Sequence, residues 1–357
     1  MAEPPRTLTA DRGDAGRRLD LVLRRHLADL DAATRTRVQS WIESGQVRVN
    51  GRAVRRVSAR AALGDVVTVV LPDTPPRESM AAEDVGLRIL YEDHHLLALD
   101  KPAGLVVHPA YKNVKGTVMN ALLWHARAWT GAQRPSIVGR LDKLTSGVVV
   151  VAKTAAVHAA LQRALNAGLP PSRPSRPSRV GEPRGGSLDT NASGGGSAGE
   201  KEYLAVVYGR VNVARGEIDL EIGHDRRDRR RMVAAADAGA SSLTHFERLA
   251  RVAAPRAGLS LLRCRLVTGR RHQIRVHLAA RGWPVVGDPT YGEPRWEQIA
   301  DPLLAATLRH FPRQALHAWR VGFTHPVTRA WLQLEAAVPS DFARLLAACG
   351  LASETSR

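Results

Sequence analysis

This chain carries both helix-like and strand-like patterns, in a small leading module and in a larger second part. Three observations carry that reading. Two amphipathic runs between positions 18 and 42 space their apolar residues by three and four. A β-branched run over 148–151, bounded by Thr145, Ser146 and Gly147, has the form of a buried strand. Alternating runs over 201–209 and 259–267 add further strands.

The leading module is read first. Residues 1–15 carry Pro, Asp and Gly without periodicity and are expected to be a disordered tail. From Arg18 onward Leu19, Val22, Leu23, His26 and Leu27 recur at helical spacing. A second helix is expected from Thr34, the candidate N-cap, through Val38, Trp41 and Ile42, stopping at Ser44-Gly45. Residues 46–51 alternate and end in Asn50-Gly51, a hairpin turn signal, and 65–71 supply a later strand. The module is bounded at 16–72, and a linker rich in Pro and charge is placed at 73–86.

The larger part is expected over 87–345, with a tail at 346–357. Two strand-like runs surround a polar turn between Ile89 and Asp100, and Lys101-Pro-Ala-Gly-Leu-Val-Val-His-Pro109 follows. Residues 117–130 and 155–165 look helical. The stretch 167–199 repeats Ser, Arg and Pro and then turns to Gly, Ser and Asn. Such a composition buries too little apolar surface to offset its ordering entropy and is read as a disordered insertion. The basic run from His224 to Arg231 reads as a turn or loop. Thr268-Gly-Arg-Arg-His-Gln-Ile-Arg-Val-His-Leu278 fits a strand by alternation and a helix by its run into Gly282.

Composition narrows the function. Of 357 residues, 52 are Lys or Arg against 34 Asp or Glu, a formal charge of +18. Such an excess favours a polyanionic partner held through phosphate contacts. Two cysteines, Cys264 and Cys349, with no CxxC, build neither a disulfide framework nor a zinc ribbon, and a reducing cytoplasm is expected. The first twenty residues are polar and no apolar run approaches ~18 residues, so neither a signal peptide nor a membrane span is expected.

The stretch Gly139-Arg-Leu-Asp-Lys-Leu-Thr-Ser-Gly-Val-Val-Val-Val-Ala-Lys153 organises the rest. Local chemistry leaves Asp142 open between a turn-capping residue and a catalytic group on a loop fixed to rigid strands. The stretch resembles the signature of the RluA/RluD family of pseudouridine synthases, usually His-Arg-Leu-Asp-x-x-Thr-Ser-Gly followed by an apolar run and Ala-Lys. One position departs, Gly139 standing where the family usually has His. Lys101 to Pro109, Gly287-Asp-Pro-Thr-Tyr-Gly292, Leu316-His-Ala and His325-Pro326 are further matches, and the resemblance spans about 17–345 apart from the insertion. Arg18-Leu19-Asp20, Thr34-Arg-Thr-Arg37 and Val47-x-Val49-Asn50-Gly51 resemble the small RNA-binding domain named after ribosomal protein S-four.

The resemblance implies an α+β fold: a helix-helix-hairpin RNA-binding domain, then a mixed, largely antiparallel sheet crossed by a catalytic cleft. It implies a helix beginning near His272. It also implies isomerisation of uridine to pseudouridine in RNA, with no cofactor and no metal. Breaking the glycosidic bond and rejoining the ring through carbon needs a carboxylate and an acid-base partner, but no group donor. Asp142 falls on the family's catalytic aspartate, Tyr203 on its active-site tyrosine, and Arg275 on the basic residue that pairs with the aspartate. Arg140, Leu141 and Thr145 are carried over as substrate-binding residues, and Arg18, Arg35 and Arg37 as RNA-binding ones. The attached module points to large-subunit ribosomal RNA or a pre-ribosome, with transfer RNA the second choice. A monomer is expected. The competing reading is a non-catalytic ribosome-assembly factor that keeps the synthase fold; a zinc deaminase lacks its ligands here, and a methyltransferase its glycine-rich loop after a strand.

Overall fold

The computed structural model describes residues 5–27, 30, 33–71, 80–109, 114–166, 199–228, 231–234, 239–252 and 258–352. The chain divides into two compact units, Met1–Met80 and Ala81–Arg357. The α+β expectation is met.

In the first unit β1 (Arg6–Thr9) precedes α1 (Leu19–His26) and α2 (Arg35–Glu43), and β2 (Val47–Val49), β3 (Arg52–Ala53) and β4 (Val66–Val69) follow. The sheet order is β1-β4-β2-β3, all antiparallel. Leu19, Leu23, Val38, Trp41 and Ile42 bury the facing sides of the helices against Val47, Val67 and Val69. Asn50 and Gly51 both have positive φ and join β2 to β3 as a two-residue turn, the geometry that asparagine and glycine tolerate best. Two expectations need correction. Arg6–Thr9 lie inside the stretch read as a tail; they form a strand through backbone pairing with β4, and their one strongly apolar residue, Leu8, leaves no periodic signal. Thr34 occupies the N-cap position of α2, but its hydroxyl caps nothing.

The second unit opens with residues 81–86, read from sequence as linker. They are tied down where Asn120 Nδ2 donates to the Ala81 carbonyl and Gly116 N–H donates to the Glu83 carboxylate. Then come β5 (Ile89–Glu92), β6 (Leu96–Lys101), α3 (Val118–His125), β7 (Ser136–Val138), β8 (Ser146–Ala152) and α4 (Ala155–Asn166). The helix read over 117–130 is shorter, because Thr117 and Asn120 close a reciprocal capping box at its start and a single 3₁₀ turn ends it. The insertion read over 167–199 lies outside the described residues except for Gly199, whose N–H donates to the Ala164 carbonyl.

Beyond it run β9 (Glu200–Tyr208), β10 (Arg215–Asp219), β11 (Ile222–His224), β12 (Met232–Ala234), β13 (Leu243–Val252) and β14 (Leu259–Leu266). After them come α5 (Gln273–Ala280), α6 (Pro302–His310), β15 (Leu316–Thr324), β16 (Trp331–Glu335) and α7 (Ser340–Ala348). In the stretch read as a tail over 346–357, residues 346–348 complete α7 and Leu351 is fully buried. The ambiguous segment around 272 is helical.

Ten strands form one sheet in the order β10-β13-β14-β9-β15-β8-β6-β5, with β16 beside β15 and β7 beside β8. Only β15 and β8 pair in parallel. β6 and β8 are covered on both faces. Leu97, Leu99, Val149 and Val151 pack against α3, while Leu96, Ala98, Val150 and Ala152 pack against α4. Burial on both sides explains why the β8 sequence is continuously apolar instead of alternating. Gly147 sits at φ +116, where a Cβ would lie 2.1 Å from the Ala318 carbonyl oxygen, so the parallel contact of β8 with β15 requires glycine.

Candidate active site

Asp142 sits in the loop 139–145 between β7 and β8. Thr145 N–H donates to the Asp142 carbonyl, and Gly104 N–H donates to the Lys143 carbonyl. Lys101 adds a support from below. Its fully buried ammonium donates to the carbonyls of Pro102, Leu105 and Lys143. Burial, and then the charge of Arg313, push its pKa down to about 7. The sequence quoted Lys101 without a role, because carbonyl partners leave no residue signature. Gly139 adopts φ +86 with open space where a side chain would stand, so the residue that departs from the family pattern suits a left-handed backbone.

Arg275, on α5, reaches Asp142 across 133 positions of sequence, its Nη1 donating to Asp142 Oδ2 at 2.9 Å. The same guanidinium is held from behind by Asp288, a residue the sequence reading gave no role. Nε donates to Asp288 Oδ2 and Nη2 to Oδ1, both at 2.7 Å. Asp288 Oδ1 also accepts Thr290 N–H and Tyr291 N–H. Gly287 makes the turn possible: its φ is +68, and a Cβ would lie 2.2 Å from the Arg313 carbonyl oxygen. Burial works against the Arg275 charge, but the hydrogen bonds and charges of Asp288, then of Asp142, outweigh it and raise its pKa. The arginine is a fixed cation whose orientation Asp288 sets.

Asp142 Oδ1 has no hydrogen bond among the described residues. His272 Nε2 stands 3.8 Å from it, beyond bonding reach. His272 is the N-cap residue of α5 and has φ +56, an uncommon backbone for a non-glycine residue. The Tyr291 hydroxyl accepts from Met232 N–H and shares a hydrogen bond with His272 Nδ1 at 2.8 Å, which holds the ring with Nε2 on the Asp142 side. Burial lowers the His272 pKa to about 4; the charges of Arg275 and Arg271 add to the fall, against the opposing pull of Asp142 and Asp288. The imidazole is therefore uncharged near neutrality.

Asp142, Tyr203, Arg275, Arg140, Leu141 and Thr145 all line one cavity of about 490 Å³. Tyr203 projects from β9, half-buried, and burial and then the Asp142 charge raise its phenol pKa, so it stays protonated near neutrality. Arg140 is exposed, without a hydrogen bond or ion pair among the described residues. Leu141 packs on the core beside α3. Thr145 is buried and accepts from Gln314 Nε2. Behind the loop, Ser146 Oγ donates to His317 Nδ1 and His317 Nε2 donates to the Ala336 carbonyl, which accounts for the Leu316-His-Ala match.

The three RNA-binding candidates lie in the first unit. Arg35 is exposed and Arg37 half-buried, neither with a hydrogen bond or ion pair among the described residues. Arg18 differs, because its Nε and Nη2 grip both oxygens of Asp20, whose side chain is 1% exposed. Its guanidinium is largely occupied in holding α1 and is not a free phosphate ligand.

Comparison with known proteins agrees with this geometry. Residues 95–173 and 197–280 match the model of the RNA pseudouridylate synthase family. The chain is 37% identical over 316 residues to the uncharacterized RNA pseudouridine synthase YlyB of Bacillus subtilis (strain 168), covering 88% of each chain. It is 39% identical over 336 residues to ribosomal large subunit pseudouridine synthase D of Xanthomonas campestris pv. campestris, covering 94% of this chain and 89% of the relative. Among solved structures, human RNA pseudouridylate synthase domain containing 4 superposes with a TM-score of 0.52 at 20% identity, covering 74% of this chain and 93% of that one, which shows the shared fold. The chain, in which Asp142 is bonded to buried Arg275 and shares a cavity with Tyr203, therefore belongs to the RNA pseudouridylate synthase family.

Proposed function

We propose that this chain converts uridine to pseudouridine in large-subunit ribosomal RNA, with Asp142 as the essential carboxylate. The observation that carries the proposal is the asymmetry of Asp142 in the cavity it lines, with Oδ2 bonded to Arg275 and Oδ1 without a hydrogen bond among the described residues. The free oxygen meets the ribose, as nucleophile at the anomeric carbon or as base for a sugar proton; both routes use the same atom. Product and substrate are isomers, so the reaction consumes no donor or oxidant. Tyr203 supplies an aromatic face for the flipped base and a phenol for proton movement. Arg275 orients the carboxylate through its hydrogen bond to Oδ2. Arg140, free at the mouth, follows the nucleotide or fills the space it leaves, and Leu141 and Thr145 shape the wall beneath.

The choice of ribosomal RNA rests on the name of the Xanthomonas relative and on the first unit, in which Arg35 and Arg37 present cations suited to RNA phosphates. The protein acts as a cytoplasmic monomer in this reading. The test is pseudouridine mapping of total RNA from cells with and without the gene. Large-subunit uridines that lose modification in the deletion, and regain it with wild type but not with Asp142→Ala, are the expected result. Loss confined to transfer RNA would reassign the substrate.

A further inference from the structure

Lys201 is the one cavity-lining lysine of the site, and the chemistry above leaves it unused. It lies on β9 two residues before Tyr203, on the same face of the strand, since side chains alternate. Its neighbours Glu200 and Glu202 face the other way, where they meet Arg265 and Arg263 of β14. The Lys201 ammonium has no hydrogen bond or ion pair among the described residues, although the residue is half-buried. Burial alone lowers its pKa. A desolvated ammonium without a partner is unfavourable in the empty protein and points to an acceptor brought by the ligand.

Strand register places that acceptor. On β15, His317 and Ala318 lie beside Ser146 and Gly147, at the end of the Asp142 loop. Tyr203 is opposite Ala318, and Lys201 is opposite Val321, roughly 7 Å further along β9. The cavity thus runs from Asp142, past Tyr203, to Lys201, where Gln162 and Asn166 of α4 join it. A uridine whose ribose meets Asp142 and whose ring lies on Tyr203 directs the far edge of the base at Lys201.

We propose that Lys201 recognises the ring carbonyl opposite the sugar-bonded atom of the target uracil, selecting uridine over cytidine. The proposal rests on the uridine-isomerase reading and deepens it. In uridine N1 is bonded to the sugar, and O4 lies opposite. Turning the detached ring about its N3–C6 axis exchanges N1 with C5 and C4 with C2. O2 then occupies the place O4 left, so one fixed donor serves substrate and product. Cytidine would present an amino donor to the ammonium, with no bond to form.

The experiment crosses the enzyme with the substrate atom. Purified full-length wild type and Lys201→Met are assayed on an RNA fragment carrying the mapped uridine, and on the same fragment with 4-deoxyuridine there. Each single change is expected to lower kcat/KM roughly tenfold or more, and the double change to cost little beyond either alone. Lys201→Met should melt no lower than wild type, since it removes an unpaired buried charge. Losses that multiply would overturn the assignment. So would an equal loss on both RNAs together with a salt slope of binding reduced by about one, which marks a phosphate contact instead. In wild type alone, undiminished turnover of the 4-deoxyuridine RNA would also overturn it. No conversion of the uridine RNA by wild type would instead sink the underlying isomerase reading.

Discussion

Both units build buried carboxylate–arginine pairs, and they build them in opposite senses. In the first unit the acids are the buried partners: Asp14 is 0% exposed and Asp20 1%, while Arg25 and Arg18 remain 47% and 41% exposed. Asp14 accepts from Arg25, His26 and Asp11 N–H, and Asp20 from Arg18 and Gln39, so the oxygens of both acids are occupied. In the second unit the arginine is the buried partner, Arg275 being 5% exposed, and Asp142 keeps 17% exposure with one oxygen unbonded. A carboxylate with no unoccupied oxygen can only hold structure. One with a free oxygen on a cavity can do chemistry. Asp288, 0% exposed and fully bonded, belongs to the first kind and lets Asp142 belong to the second.

The largest expected effect comes from breaking the free member. Asp142→Asn should lower turnover by at least about a thousandfold with little change in melting, because it removes a charge that acts in the transition state and is only partly buried. Asp288→Ala should do both kinds of damage. Leaving Arg275 without its rear anchor should cost about 3–5 kcal/mol of stability, and a misaimed guanidinium roughly a hundredfold in kcat, read by calorimetry and single-turnover rates.

The pair in the first unit should answer to pH instead. The Asp14 carboxyl is held down at about 2: burial raises it, but hydrogen bonds from His26, Asp11 N–H and Arg25 outweigh that. A depressed acid contributes stability that is fully present above its ordinary value of 3.8 and is lost as pH falls toward 2. Amide exchange of α1 should therefore accelerate across that window in wild type, and Asp14→Asn should flatten the response. Smallest of all, Arg35→Ala and Arg37→Ala should each remove about one unit from the salt slope of RNA binding and leave melting unchanged.

The parts legible in the sequence were those with a local signature or a strong family pattern. The helical face of α1, the Asn50-Gly51 turn and the apolar β8 could be read from periodicity and turn chemistry. Asp142, Tyr203 and Arg275 were marked by motif, and the structure brings all three to one cavity. What escaped depends on partners distant in sequence. The turn at Gly287-Asp288 is visible, but not whose guanidinium Asp288 receives from α5. The left-handed backbone of His272, and its hydrogen bond to Tyr291, follow from packing that no spacing records. β1 escaped because its stability lies in backbone pairing. Lys201 escaped because a lysine in a strand looks like any solvated lysine until its neighbours are known.

The most direct test compares Asp142→Asn with Asp20→Asn, as purified full-length proteins, for pseudouridine formed in unmodified large-subunit ribosomal RNA. Both substitutions remove a carboxylate bonded to an arginine. If the free oxygen is what matters, Asp142→Asn makes no detectable product while Asp20→Asn, per folded molecule, keeps its turnover. Product from a folded Asp142→Asn protein would contradict the account at its centre.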